Sequence, residues 1–279
     1  MRKILLAINA VSPDPLSIDF AAYVGRLTKS PITGVFLENI AAEERAVFKR
    51  KYGLTYVEWE ADTESEEHKV KMEVIEHNIN TFEDACISRE VMYEVIRATG
   101  KPAKDLLAES RFADFLIVDA ETSFTPQFEG TPTDFSVDVL VAAECPVIIA
   151  PKTFTTIDQI LFTYNGTPES FFAIKQFTYL FPELHDKKVC LMQINDRGEW
   201  LSGDRLKVKK WLEIYYHDIT FEAEKGHAGD QLADHLFRRK NLILVMGAYS
   251  RNSLSRFMKP SQADLVMRET FQPIFIAHP

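Results

Sequence analysis

A chain of 279 residues and 31.9 kDa is long enough for two domains of ordinary size, and 46% hydrophobic against 26% charged residues is the balance of a protein that buries a core. Its net charge of −9 (pI ≈ 5.4) excludes broad binding to a nucleic-acid backbone. Cys86, Cys145 and Cys190 form no CxxC pair, so neither a disulfide framework nor a zinc cluster is expected, and no apolar run reaches the roughly 18 residues of a membrane span. A cytoplasmic protein that binds neither nucleic acid nor membrane fits these features.

The first apolar run, Ile4 to Ile8, stops at Asn9, too short for a signal peptide and the right length for a buried strand. A Pro-containing turn and a helix over 15–29 follow, then a strand from Ile32 to Leu37. Residues 40–62 read as an insertion, with Tyr52, Tyr56 and Trp59 as a candidate docking stretch. Over 40–90, acidic residues outnumber basic ones by thirteen to seven. Ile75, Ile79, Phe82 and Cys86 recur at helical intervals behind Thr63 and Glu66, whose spacing is that of a capping box, and this predicts a long amphipathic helix over 64–88. A strand over Val91 to Ala98, a helix from Pro102 to Arg111 and strands in Ala113–Asp119 and Cys145–Ala150 complete a first half.

The second half repeats that order. Gln159 to Asn165 matches Lys3 to Asn9 at an offset of 156, and Gln272 to Ala277 matches Cys145 to Ala150 at an offset of 127, which leaves about 29 extra residues in the first half. Between them lie a helix over 168–181, strands Val189–Ile194 and Ile219–Glu224, a helix Ala228–Arg238 and the strand in Asn241–Gly247. Short, wholly apolar strands alternating with amphipathic segments indicate parallel sheets covered on both faces by helices. The expected class is α/β, with two tandem doubly wound, five-stranded parallel sheets. The domains are residues 1–152, carrying an acidic insertion near 40–62, and residues 157–279.

In such sheets ligands bind beyond the carboxyl ends of the strands. After the fourth strand of the second half come Gly247, Ser250, Arg251, Arg256, Lys259, Pro260, Ser261 and Gln262, ahead of a helix over 263–268. This loop, and the two halves around it, resemble the universal stress protein family, whose nucleotide-binding members place Gly, two residues, Gly, nine residues, Gly and then Ser or Thr here. Gly247, Ser250, Pro260 and Ser261 keep the spacing while replacing two of three glycines. Glycines let backbone N–H groups approach phosphate oxygens, whereas Pro260 removes a donor; Arg251, Arg256 and Lys259 compensate with charge.

The resemblance covers nearly the whole chain. It implies a Rossmann-like fold of the adenine nucleotide alpha hydrolase type, and a pseudo-dimer within one chain joined through Val147–Ala150 and Ile274–Ala277; further pairing as a homodimer stays open. It also implies a weak, degenerate ATP or AMP site in the second half, with Ile194 lining the base pocket and no metal required. Asn9 and Asn165 stand where family members that bind ATP usually carry an acidic residue, and Asn165-Gly166-Thr167 reads equally well as a turn and helix cap. The corresponding first-half loop starts Asp119-Ala-Glu121, where carboxylates oppose an anion.

No catalytic motif is present: there is no GxSxG, HExxH, P-loop or EF-hand, and the seven histidines include no pair at i, i+4. The leading expectation is a stress-response binding module without turnover, in which residues 248–260 close over a nucleotide. The alternative is a scaffold that binds no nucleotide and docks a protein partner through the insertion and long helix. Slow nucleotide hydrolysis stands third.

Overall fold

A computed structural model describes residues 1–40, 44–52, 54–61, 65–200, 203–247 and 272–279. Ten strands form one sheet in the order β10-β9-β8-β11-β12-β7-β6-β1-β2-β5, and two more form a separate hairpin. The first half contributes β1 (Ile4–Asn9), β2 (Ile32–Asn39), β5 (Tyr93–Gly100), β6 (Phe115–Val118) and β7 (Val147–Ile149). The second contributes β8 (Gln159–Thr163), β9 (Lys188–Asn195), β10 (Ile219–Lys225), β11 (Leu242–Gly247) and β12 (Ile274–Ala277). Taken in chain order, both halves arrange their five strands 3-2-1-4-5, every neighbour within a half being parallel.

The halves meet at the one antiparallel pair of the sheet, β7 with β12, in the register Ile149–Ile274, Ile148–Phe275 and Val147–Ile276. This is the edge-to-edge joining of last strands that the resemblance implied. Aromatic rings close the seam beneath it: Phe115 lies 5.2 Å from Phe181, and Phe177 and Phe181 stand edge-on to Phe275 at 5.2 and 6.1 Å. Arg2 adds a two-pronged ion pair to Glu183 at 2.9 and 3.0 Å across the halves.

Helices cover both faces, as wholly apolar strands require. One core lies under α1 (Pro15–Thr28), α2 (Glu66–Ser88), α5 (Pro168–Leu180) and α6 (Arg205–Leu212), the other under α3 (Pro102–Ser110), α4 (Asp134–Ala142) and α7 (Ala228–Arg238). The long helix buries Ile75, Ile79, Phe82 and Cys86, the four residues its periodicity selects. Phe82 stands edge-on to Phe36 and Tyr93, and a side chain at Gly34 would come within 2.9 Å of its ring. Burial of a phenylalanine this deep is worth about 3 kcal/mol. The cap of α2 is Ser65, which accepts from the His68 amide, in place of the expected Thr63; that residue lies outside the described ones.

The insertion is a β-hairpin of β3 (Glu44–Lys51) and β4 (Leu54–Ala61), paired antiparallel with each other alone. Its turn places Tyr52 at a positive φ of 52°, and Phe48 (73%), Tyr52 (94%) and Leu54 (74%) are exposed. The strand β3 carries Lys49, Arg50 and Lys51, so the negative charge of this region falls mainly on α2 and not on the hairpin. Among the described residues no helix is long and apolar enough to cross a membrane.

Candidate functional site

In each half the order of the strands reverses between the first and fourth strands, β1 and β6 or β8 and β11, and that crevice is where a ligand of an open sheet sits. The two crevices start from matching local structure. Asp14 and Thr167 cap the helix after the first strand, each followed by a proline at the first helical position. The first strand β1 ends on Asn9 and Asn165 follows β8 by two residues, while both second strands end on an asparagine, at Asn39 and Asn195.

In the first half these groups hold the chain's own loop across the crevice. Asn9 Nδ2 donates to the Ser123 carbonyl at 2.8 Å, and Asn39 Nδ2 donates to the Phe124 carbonyl at 3.3 Å. Phe124 packs edge-on against Phe135 of α4. Thr133 caps α4 and binds back to the carbonyl of Thr122, while Ser136 Oγ donates to the Asp119 carbonyl. Lys152, from the segment linking the halves, places its ammonium 2.6 Å from Glu121 and 3.4 Å from Asp119. Burial holds the Asp119 carboxyl above the usual range against the pull of Lys152, with Asp14 and Glu121 adding to the rise. Burial works to lower the Lys152 pKa, and its contacts with Glu121 and Asp119 outweigh that and raise it. The carboxylates expected to repel a phosphate are thus neutralised in part by a cation of the chain itself.

The second-half crevice is built differently. Asn165 Oδ1 accepts from the Thr167 amide at 3.1 Å, Gly166 sits at φ +86°, and Thr167 Oγ1 caps the Ser170 amide. These are the turn and cap roles that Asn165-Gly166-Thr167 offers on sequence alone, and Asn165 and Gly166 are exposed. Among the described residues Asn165 Nδ2 bonds to nothing, unlike Asn9. Asn195 turns inward on its own loop, accepting from the amides of Arg197 and Gly198 and donating to the Glu199 carbonyl. Ile194, half-buried, pairs with Glu224 at the end of β9.

Gly247 ends β11 against the first turn of α5, where a Cβ would come within 2.6 Å of the Glu169 carbonyl oxygen and 2.8 Å of Ser170 Cα. Its need for glycine therefore comes from a strand meeting a helix N-terminus, apart from any ligand. Ser250, Arg251, Ser261 and Gln262, with Pro260, lie outside the described residues. Asn165, Gly166, Thr167 and Gly247 come together at the β8–β11 crevice, and Ile194 lies one strand away.

Composition and spacing gave no sign of an aromatic group beside this crevice. Trp200 stacks on Tyr164, just before Asn165, with ring centroids 6.2 Å apart and planes 21° from parallel, and Phe221 meets it edge-on at 5.4 Å. The Arg205 guanidinium lies 5.2 Å from the Phe221 ring centre and 5.8 Å from that of Trp200. A tryptophan in a loop after a strand is a visible signal, but nothing in the sequence brings it to Tyr164. Cys86, Cys145 and Cys190 are buried and unpaired, and burial pushes their thiols up to about 11, 12 and 11.

No protein-family model matches the chain, and no curated protein sequence matches it. Solved structures do. A universal stress protein from Archaeoglobus fulgidus DSM 4304 superposes with a TM-score of 0.70 at 15% identity, covering 99% of this chain and 96% of that one. A putative universal stress protein from Pseudomonas aeruginosa UCBPP-PA14 gives 0.62 at 15% identity over 99% and 92%. A functionally unknown protein from Pseudomonas aeruginosa PAO1 gives 0.62 at 15% over 100% and 93%. Over its whole length the chain has the fold of universal stress protein structures.

Proposed function

We propose that this protein is a tandem member of the universal stress protein family that works as a binding module, holding one adenine nucleotide, ATP or AMP, in the crevice between β8 and β11. The observation that carries the reading is the difference in charge between two crevices of the same construction. Asp14, Asp119 and Glu121 surround the first, and among the described residues Lys152 alone pairs with Asp119 and Glu121. At the positions equivalent to Asp14 and Asp119 the second has the neutral Thr167 and Gly247. A carboxylate about 5 Å from a phosphate charge costs on the order of 3 kcal/mol at an effective dielectric near 20, so net negative charge at the first crevice is enough to reject the anion.

The loop across the first crevice adds to this, since Ser123 and Phe124 take the amide donors of Asn9 and Asn39. In the second, the free Asn165 amide, the Thr167-capped helix start and Arg251 with Ser261 from the following loop supply neutral and positive groups for base and phosphates. The sequence carries no catalytic motif beside them, and the reading requires no turnover. Calorimetric titration with ATP, ADP and AMP tests it: one weak site per chain is expected, at least tenfold weaker in Arg251→Ala. Absence of heat and of thermal stabilisation at millimolar nucleotide removes the reading.

A second reading rests on the hairpin. Phe48, Tyr52 and Leu54 project from a two-stranded unit that pairs with no other strand among the described residues, and this supports a protein-docking role for the insertion. Deleting residues 44–61 leaves the ten-stranded sheet its own pairings and abolishes capture of any partner that uses this surface; unchanged capture counts against it.

A further inference from the structure

Away from the crevice, beneath α7, three side chains of metal-ligating type converge. Cys190 on β9, Glu222 on β10 and His235 on α7 each offer a ligand atom, and these atoms all lie within 4.8 Å of one another. The described residues hold one such group. Cys190 is wholly buried and His235 is 7% exposed, whereas Glu222, a third exposed on the outermost strand, leaves a way in from solvent.

The imidazole is posed as a ligand. His235 Nδ1 faces a Glu224 carboxylate oxygen at 3.8 Å, and Nε2, on the other side of the ring, is buried with no hydrogen-bond partner among the described residues and lies 4.0 Å from Glu222 Oε2. A carboxylate facing one ring nitrogen, here beyond hydrogen-bond reach at 3.8 Å, favours the tautomer that leaves the other nitrogen's lone pair open, the sense in which histidine ligands are oriented in metal sites. An unmatched buried nitrogen is costly in a folded chain, and a cation between Nε2, the thiol and the carboxylate satisfies it.

We infer that Cys190, Glu222 and His235 form a binding site for a single zinc ion under α7, distinct from the nucleotide crevice. One thiolate, one imidazole and one carboxylate, with water in the fourth position, is a tetrahedral zinc donor set. For bonds of about 2.0–2.3 Å the ligand atoms of such a site stand roughly 3.3–3.8 Å apart, so the observed group, within 4.8 Å, needs to draw in by no more than about 1.5 Å. Binding transfers the Cys190 proton to solvent. The Arg239 guanidinium donates from one nitrogen to both Glu222 oxygens at 2.9 and 3.1 Å, which leaves each oxygen a second lone pair for a cation. Its charge does not spoil the site: thiolate, Glu222 and Glu224 together balance zinc and Arg239.

Cobalt(II) reports the site optically. The chelator-treated full chain should take up one Co²⁺ with a thiolate-to-metal charge-transfer band in the near ultraviolet, displaced stoichiometrically by Zn²⁺. The band should vanish in Cys190→Ser and in His235→Ala and persist in Cys145→Ser, with cooperative unfolding confirming that each variant folds. In the unaltered chain, Zn²⁺ should slow alkylation of Cys190 at least tenfold, mapped by mass spectrometry, without protecting Cys86 or Cys145. Cobalt uptake without the band, a band that survives Cys190→Ser, or equal alkylation with and without zinc overturns the proposal.

Discussion

Replacing Lys152 by methionine keeps the side-chain stem and removes the ammonium that pairs with Asp119 and Glu121. The contact with Glu121, at 2.6 Å, is half exposed on the glutamate side and is worth under about 1 kcal/mol. Asp119 is the costly partner, being 6% exposed and 3.4 Å from Nζ. Stranding a buried charge costs about 3–5 kcal/mol; discounted because the lysine is a quarter exposed, the loss expected here is about 2 kcal/mol at neutral pH. The pH dependence has a definite sign. Burial already holds the Asp119 pKa above its unfolded value, and removing Lys152 raises it further. The folded variant then binds a proton over a wider range than the unfolded chain, so its deficit is full above the raised pKa and fades as pH falls toward the unfolded carboxylate value near 4. Urea unfolding at pH about 7.5 and about 4.5 measures this. A deficit below about 0.5 kcal/mol at the higher pH, or an equal deficit at both, refutes the account of Lys152 as counter-charge for a buried Asp119.

Gly247→Ala forces a methyl against the backbone of α5 and should cost about 2–3 kcal/mol by urea midpoint, while Gly203→Ala, with open space around it, should stay within about 0.5 kcal/mol. Phe82→Ala should cost about 3–5 kcal/mol, read by the same method, because the ring fills the space over Gly34 between Phe36 and Tyr93. Asn9→Ala removes the donor to the Ser123 carbonyl, and amide exchange in residues 120–126 should quicken severalfold with exchange near Asn165 unchanged.

Much of this architecture is legible in the residues because buried parallel strands must be apolar throughout. Ile4 to Ile8, Phe115 to Val118 and Leu242 to Val245 show themselves by that rule alone, and the periodicity of Ile75, Ile79, Phe82 and Cys86 marks the buried face of α2. The hairpin was not legible as strands. Glu44 to Ala61 is a mixed polar stretch whose strands pair, among the described residues, only with each other, and with Phe48, Tyr52 and Leu54 exposed no core imposes an apolar pattern there. The cap of α2 was legible in kind and not in place: Ser65, which caps the helix, is of the same hydroxyl type as the expected Thr63.

At the site, what could be read was what lies close in sequence. Asn165, Gly166 and Thr167 form their turn and cap from neighbours, and Gly247 announces a close approach without saying to what. Lys152 gave no signal, because its partners Asp119 and Glu121 meet it only when β6 and β7 are laid side by side. The same holds for Trp200 on Tyr164 and for Cys190, Glu222 and His235, which come from two strands and a helix with no motif spacing among them. Cysteine arithmetic predicted no metal, since it counts thiols and cannot see a carboxylate and an imidazole folded onto one of them.

The central claim is that one of two similarly built crevices accepts an adenine nucleotide. Photolabelling the intact chain with an azido-adenine nucleotide, followed by peptide mapping, tests it most directly. The account predicts label on second-half peptides around Asn165, Ile194–Trp200 or the loop after Gly247, competed away by ATP or AMP. Label competed away by ATP or AMP on first-half peptides around Asn9 or Ser123, or label shared equally between the halves, contradicts it.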